Sequence, residues 1–299
     1  FDSHHGPFKP EYSNYFTQVF NEGRMQIFKI RQNYSRLNIP NEIFKQFEKI
    51  ESNSWKVIKP YKLTKKVKPN SKILTLINEI SEENINLHLE FMSTKLSRRS
   101  GAPGNQETVT YIDSLLTKNN FKTTKHCFSP GLCNIWGVIN GEIDEYVLIE
   151  AHLDSVGKSY AGADDNASGT ASLLELSRLL SKNKYKRGLI IFATNGEESG
   201  LLGSKTFVEE AEKSGLLSKI SFVINMDMIG WNKNGIVDIE TDRGFEDYAK
   251  WMSALVNTYT NLLPEITMPA WGSDHVPFLR KKIPSILTIE HWKTKTPCY

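Results

Sequence analysis

"EYVLIEAHLDS", residues 145–155, is the stretch on which the reading of the fold turns. Its apolar run has the length and composition of a short strand, and it stops at His152 and Asp154. The same form recurs in "NIWGVIN" (134–140), "GLIIFATN" (188–195), "SFVINMD" (221–227) and "IPSILTIE" (283–290). Helical periodicity fills the intervals at 167–182, 204–213 and 245–260, and precedes the first strand at 74–97 and 105–118. Apolar strands alternating with amphipathic helices predict an α/β fold, a largely parallel sheet with helices on both faces.

Residues 1–75 read differently. They predict two helices, about 14–35 and 41–51, followed by a lysine-rich, Pro-punctuated stretch at 56–72. This suggests an N-terminal accessory or pro-region-like segment, with the main domain at 76–299. The whole chain of 299 residues is 39% hydrophobic and 24% charged, with a formal net charge of +3, the composition of a globular protein. No basic–aromatic pattern recurs, which argues against nucleic acid. No apolar run reaches membrane-spanning length. The chain opens on "FDSHHGPF", without Met or a signal sequence, so the expectation is a processed, secreted or periplasmic product. Cys127 and Cys133 in "CFSPGLC" could close a small disulfide loop or remain free thiols, and spacing alone leaves both open.

In open α/β sheets ligands bind outside the carboxyl ends of the strands. Three of the runs deliver polar groups there: His152 with Asp154, Glu197 with Glu198, and Asp227. The loop "AGADDNASGT" (161–170) adds Asp164 and Asp165, although Asp, Asn and Ser there would also serve as plain helix caps. Asp154, Asp164, Glu197, Glu198 and Asp227 would crowd one crevice, and these motifs hold no Lys or Arg. Close carboxylates repel, so the crevice calls for cations, and His152 favours zinc over magnesium or calcium. Asp164 between two ions would explain its tolerance in the loop. Of Glu197 and Glu198, whose side chains diverge, one can bind metal while the other faces a water.

Taken together, "EAHLDSVG", "AGADDNASGTASLLELSRLL", "IIFATNGEESGLLGS", "INMDMIGW" and "GSDHVPFLRKKIPSI" resemble, in order and spacing, the co-catalytic di-zinc aminopeptidases of the bacterial leucyl aminopeptidase type. The resemblance covers about residues 75–299. It implies a mixed sheet of about eight strands between helices, and zinc-dependent removal of N-terminal residues from peptides by a monomer. It also implies roles. His152 and Asp227 would hold one zinc, Glu198 the other, and Asp164 would bridge them. Glu197 would be the general base and Asp154 a supporting residue behind the ligands. A cis peptide would fall between Asp164 and Asp165. Asp274 and His275 would lie outside the ligands or on the substrate side. Glutaminyl cyclases share much of this pattern but use one zinc, and some relatives of the fold are metal-free receptors.

Met228, Ile229, Trp231 and Trp271 are candidates for a pocket favouring an apolar N-terminal residue, or else for core. His291 reads as structural. The resemblance further implies a histidine ligand just after "PCY", so the chain is expected to continue past Tyr299 with histidine.

Overall fold

The computed structural model describes residues 16–22, 25–30, 58–157, 161–294 and 296. The chain divides into two compact units, Phe1–Lys59 and Pro60–Tyr299.

In the first unit the described residues form an antiparallel hairpin of β1 (Phe16–Glu22) and β2 (Met25–Ile30), with Glu22 opposite Met25. The expected helix over 14–35 is therefore wrong. Phe16–Glu22 and Met25–Ile30 pair side by side as antiparallel strands, which one continuous helix does not allow. The helix expected at 41–51 lies outside the described residues.

The boundary expected at residue 75 also moves. Leu63 to Asn70 lie with the second unit, along α6 (Glu246–Tyr259). Val67 N donates to Thr258 Oγ1 at 2.9 Å, Asn70 N to the Tyr259 hydroxyl at 2.8 Å, and Asn257 Nδ2 to Leu63 O at 2.7 Å.

The second unit begins with α1 (Ser71–Asn78), α2 (Glu82–Ser93) and α3 (Pro103–Lys118). The single helix expected at 74–97 is broken because Ser81 restarts it. Its side chain accepts from Asn84 N at 3.1 Å, an N-cap, with Glu82 and Glu83 in the first turn where the helix dipole favours them.

The sheet is mixed and ordered β3-β10-β9-β11-β8-β6-β7-β5-β4. Its strands are β3 (Ile58–Lys62), β4 (Lys122–Ser129), β5 (Leu132–Ile139), β6 (Ile143–His152), β7 (Arg187–Thr194), β8 (Ile220–Asp227), β9 (Ile236–Glu240), β10 (Leu263–Met268) and β11 (Ser285–Glu290). The middle is parallel: β6 pairs with β7 and β8, and β8 with β11. Antiparallel pairs β5–β7, β4–β5 and β11–β9 extend it. Strands β4, β9 and β10 were not legible as apolar runs, because β4 alternates exposed and half-buried residues while the buried acids Asp238, Glu240 and Glu265 interrupt β9 and β10. Cys127 and Cys133 stand opposite each other on β4 and β5 and are joined by a disulfide.

Both faces of β6 are covered, which is why its run is continuous. Ile149, Ala151 and Leu153 pack with Ile112 and Leu116 of α3 and with Leu173 and Leu174 of α4 (Gly169–Leu180). Leu148 faces the other way, into a cluster with Phe192, Phe207 of α5 (Leu202–Lys213) and Phe278 of α7 (His275–Arg280). Among the described residues no helix is long and apolar enough to cross a membrane.

Phe207 is 1% exposed and meets Phe192 and Trp136 at ring-centroid distances of 4.3 and 5.1 Å. Phe207→Ala should cost about 3–5 kcal/mol by lost burial and the cavity left behind. The check is a lower denaturant midpoint at unchanged slope.

Candidate metal centre

β6, β7 and β8 run parallel side by side, so their carboxyl ends share one rim. His152 is the last residue of β6 and Asp227 the last of β8, and both are fully buried. His152 Nε2 lies 3.2 Å from Asp227 Oδ1 and 3.1 Å from Asp165 Oδ1. Its Nδ1 faces the Asp154 carbonyl at 3.2 Å. A proton on Nδ1 donated to that carbonyl leaves the Nε2 lone pair aimed between two carboxylates, the arrangement of a metal-ligating imidazole.

The structure thus corrects the reading of the acidic loop. The carboxylate brought to His152 is Asp165, not Asp164, and the cis peptide joins Asp165 to Asn166. Asp164 turns to the other side, where its Oδ1 accepts from Gly230 N at 2.8 Å. Adjacent side chains diverge, and the loop's phase, not its composition, decides which one faces inward. That phase is set by Asn166, which sequence reasoning had passed over. Its Nδ2 donates to Met226 O at 2.9 Å, and its Oδ1 accepts from Gly169 N at 2.9 Å and Met228 N at 3.2 Å, tying the loop to the end of β8. A Cβ on Gly169 would come within 2.4 Å of Asn166 Oδ1 and of Met226 O, so only glycine fits there.

Glu197 and Glu198 follow β7 in a turn. Asp154 holds that turn directly: its Oδ1 accepts from Glu197 N at 3.1 Å and its Oδ2 from Glu198 N at 3.3 Å. Burial raises Glu197 well above the usual carboxylate range. His152 opposes the shift, while Asp227, Asp274 and Glu198 add to it. Burial and then Asp165 push Glu198 up to about 9. Asp274 is fully buried, accepts from the hydroxyls of Thr194 and Ser204, and is raised to about 6 by burial. His275 is buried with neither ring nitrogen hydrogen-bonded, and burial lowers it to about 3.

Both oxygens of Asp165 and Glu197, and Oε1 of Glu198, are buried without a hydrogen-bond donor. Among the described residues Arg98 is the one buried Lys or Arg. Its guanidinium is spent on main-chain carbonyls: Leu153 at 3.0 Å, Gly162 at 3.0 Å, Met92 at 3.3 Å and Ala161. It pins the chain on either side of the crevice but neutralises no carboxylate by direct contact. Orphaned carboxylates, a free imidazole nitrogen and no spare cation fit a divalent metal, and the mixed nitrogen and oxygen donors suit zinc.

A second group, Asp238, Glu265 and His291, also clusters. There Asn234 Oδ1 accepts from Ile236 N at 3.0 Å, so its Nδ2 must donate to His291 Nδ1, at 2.7 Å. His291 Nε2 then carries the proton and faces Glu265 Oε1 at 3.4 Å. Of the residues expected to line an apolar pocket, Met228 packs with Leu287 and Ile289, and Ile229 packs against the core. Trp231 is 37% exposed, with its indole N–H on Thr294 O at 3.0 Å. Cys298 and Tyr299 lie outside the described residues.

Residues 134–299, which hold every one of these groups except Arg98, match the model of peptidase family M28. This chain belongs to peptidase family M28. Leupeptin-inactivating enzyme 1 of Streptomyces exfoliatus is 32% identical over 220 residues, 69% of this chain and 48% of that protein. Leucine aminopeptidase 1 of Leptosphaeria maculans is 26% identical over 250 residues, 74% of this chain and 63% of that protein. The M28 chain thus spans about half to two thirds of the length of these relatives. The LapA aminopeptidase of Legionella pneumophila has the same fold, with a TM-score of 0.69 at 21% identity over 78% of this chain and 68% of that one.

Arg98→Met should strand four carbonyls, at about 1–3 kcal/mol for each left unsatisfied. The readouts are a lower melting temperature and faster proteolysis within 153–162 at temperatures where the native state dominates.

Proposed function

We propose that this M28 chain is a zinc-dependent aminopeptidase. The observation that carries the reading is the convergence of His152, Asp165 and Asp227 beside Glu197, whose buried oxygens have no donor. His152 and Asp227 would hold one zinc and Glu198 a second, and Asp165 would serve both. Zinc, when bound, lowers the pKa of water and polarises a carbonyl. Glu197 takes the proton from the attacking water and returns it to the departing amine. Asp154 holds Glu197 in place through its backbone N–H. Asp274 braces the rim from behind through Thr194 and Ser204, and His275 stays in the buried layer. An apolar N-terminal residue is the assigned preference, supported by the name of the leucine aminopeptidase relative. The Cys127–Cys133 disulfide supports an oxidising, extracytoplasmic location.

Chelation should abolish hydrolysis of a leucyl-nitroanilide and zinc should restore it. Full turnover by metal-free protein would refute the reading, and a count of one ion per active chain would favour the cyclase-type alternative. Glu197→Gln should lower kcat by about 10²–10⁴-fold while zinc content stays unchanged.

The corrected loop phase has its own test. Asp165→Asn should release zinc under chelator competition, whereas Asp164→Asn should retain it. The reverse result would restore Asp164 as the ligand.

A further inference from the structure

Glu197 and Glu198 sit in a turn whose shape is demanding. Gly196, Gly200 and Leu201 all lie in the left-handed region, with φ of 79°, 97° and 59°. For Leu201, which has a Cβ, that conformation is unfavourable and persists only where the surroundings enforce it. The turn is stiff within itself. Gly200 N and Leu201 N donate to Glu197 O, each at 2.9 Å, and Leu202 N donates to Gly196 O at 3.0 Å. It therefore moves as one body, and where its ends are held decides where both carboxylates point.

Both ends are held by one side chain. Asn134, on β5, is fully buried. Its Oδ1 accepts from Asn195 N, at the entry to the turn, at 3.0 Å, and its Nδ2 donates to Gly203 O, just past the exit, at 2.9 Å. The fit is closed. A Cβ on Gly203 would lie 2.4 Å from Asn134 Oδ1 and 2.4 Å from Asn195 O, so neither a water nor a larger group fits between them.

The entry is locked a second time. The side chains of Asn195 and Asn105 exchange two hydrogen bonds, each 2.9 Å, and both are fully buried. Asn195 Nδ2 also donates to Cys133 O at 3.0 Å, and Asn105 Nδ2 to Arg98 O at 2.8 Å. Three amides from α3, β5 and the end of β7 thus form one satisfied network. Asp154 grips the middle of the turn from the crevice side, and the asparagines grip its ends from behind.

We infer that Asn134 and Asn195 are positioning residues for Glu197 and Glu198. They clamp the two ends of the turn so that the base and the proposed ligand keep their separation and direction. The inference rests on the proposed roles of Glu197 and Glu198. Loss of the clamp frees the two ends and leaves the turn held by Asp154 and, at its exit, by the contacts of Ser204 and Lys205 to Leu201 O and Gly200 O. The consequence falls on kcat and on metal retention at Glu198, because substrate contacts elsewhere are untouched. Residues that orient metal ligands typically contribute 10–100-fold in affinity or rate.

The test uses the full chain and four variants. Asn134→Ala cuts both ends, while Asn134→Asp keeps the acceptor for Asn195 N and loses the donor to Gly203. Asn195→Ala cuts the amide pair. Leu116→Ala, on the core face of α3, serves as a control for lost stability alone. All are assayed well below their melting temperatures, for kcat and KM on a leucyl-nitroanilide and for zinc retention against a fluorescent chelator.

The expected result is a fall in kcat of about 10–100-fold for Asn134→Ala and Asn195→Ala, with KM within about 2-fold and faster loss of zinc. Asn134→Asp should fall between them and wild type, and Leu116→Ala should keep wild-type kcat and zinc at its lower melting temperature. Equal kcat and zinc retention in the asparagine variants and Leu116→Ala would overturn the inference and leave the network a purely structural one. If Asn134→Ala fails to fold, Asn134→Asp and Asn195→Ala decide by the same readouts. If wild type itself cleaves no aminoacyl substrate, the proposed activity is wrong, and zinc retention alone still decides whether the clamp acts on Glu198.

Discussion

Carboxylates crowded at the end of a buried sheet impose the constraint on which the rest of this structure depends. Asp154, Asp165, Glu197, Asp227 and Asp274 are each at most 6% exposed, with Glu198 beside them. Bringing so many potential anions out of water is unfavourable unless each is hydrogen-bonded, protonated or paired with a cation. The molecule divides the task. Asp154 and Asp274 are satisfied by donors of the chain, two backbone N–H groups for the first and two hydroxyls for the second. Asp165, Glu197 and Glu198 keep oxygens without donors, and it is there that a metal supplies what the protein does not.

This division explains the scaffolding around the site. An unpaired carboxylate can be kept in place only by holding its backbone, since its side chain has nothing to bind. Asn166 therefore ties the Asp165 loop to β8, Asp154 and the asparagine network tie the turn of Glu197 and Glu198 to β6 and β5, and Arg98 ties the loop at 161–162 to Met92 and Leu153. Apart from the amide pair of Asn105 and Asn195, these restraints run to main-chain atoms. They leave the acidic side chains open toward the crevice while fixing their origin, a preorganisation that matters for ligands and bases alike.

Family membership and fold agree with that design, since the M28 match contains all the acidic and imidazole groups of the rim. Of the supports outside it, Arg98 comes from the loop between α2 and α3 and Asn105 from the start of α3. They were invisible to a search for chemistry. A loop arginine and an asparagine near the start of a polar helix carry no signal of their own, and only their complete burial marks them.

By itself the sequence determined the central strands, the helices between them and the residue types that end the strands. A parallel strand buried on both faces must be a continuous apolar run, and any acid at its end is exceptional. That is why His152, Glu197, Glu198 and Asp227 could be singled out, and why hydrophobic periodicity located the helices that cover the sheet. Tertiary structure alone decided the remainder. It decided that 16–22 and 25–30 pair as antiparallel strands, because alternation over so short a span does not separate strand from helix. It decided that the second unit begins at Pro60, because hydrogen bonds to α6 are not written in the local pattern. It decided that Asp165 and not Asp164 turns to His152, because neighbouring side chains point apart and their phase is set by Asn166, whose partners lie about 60 residues away on β8.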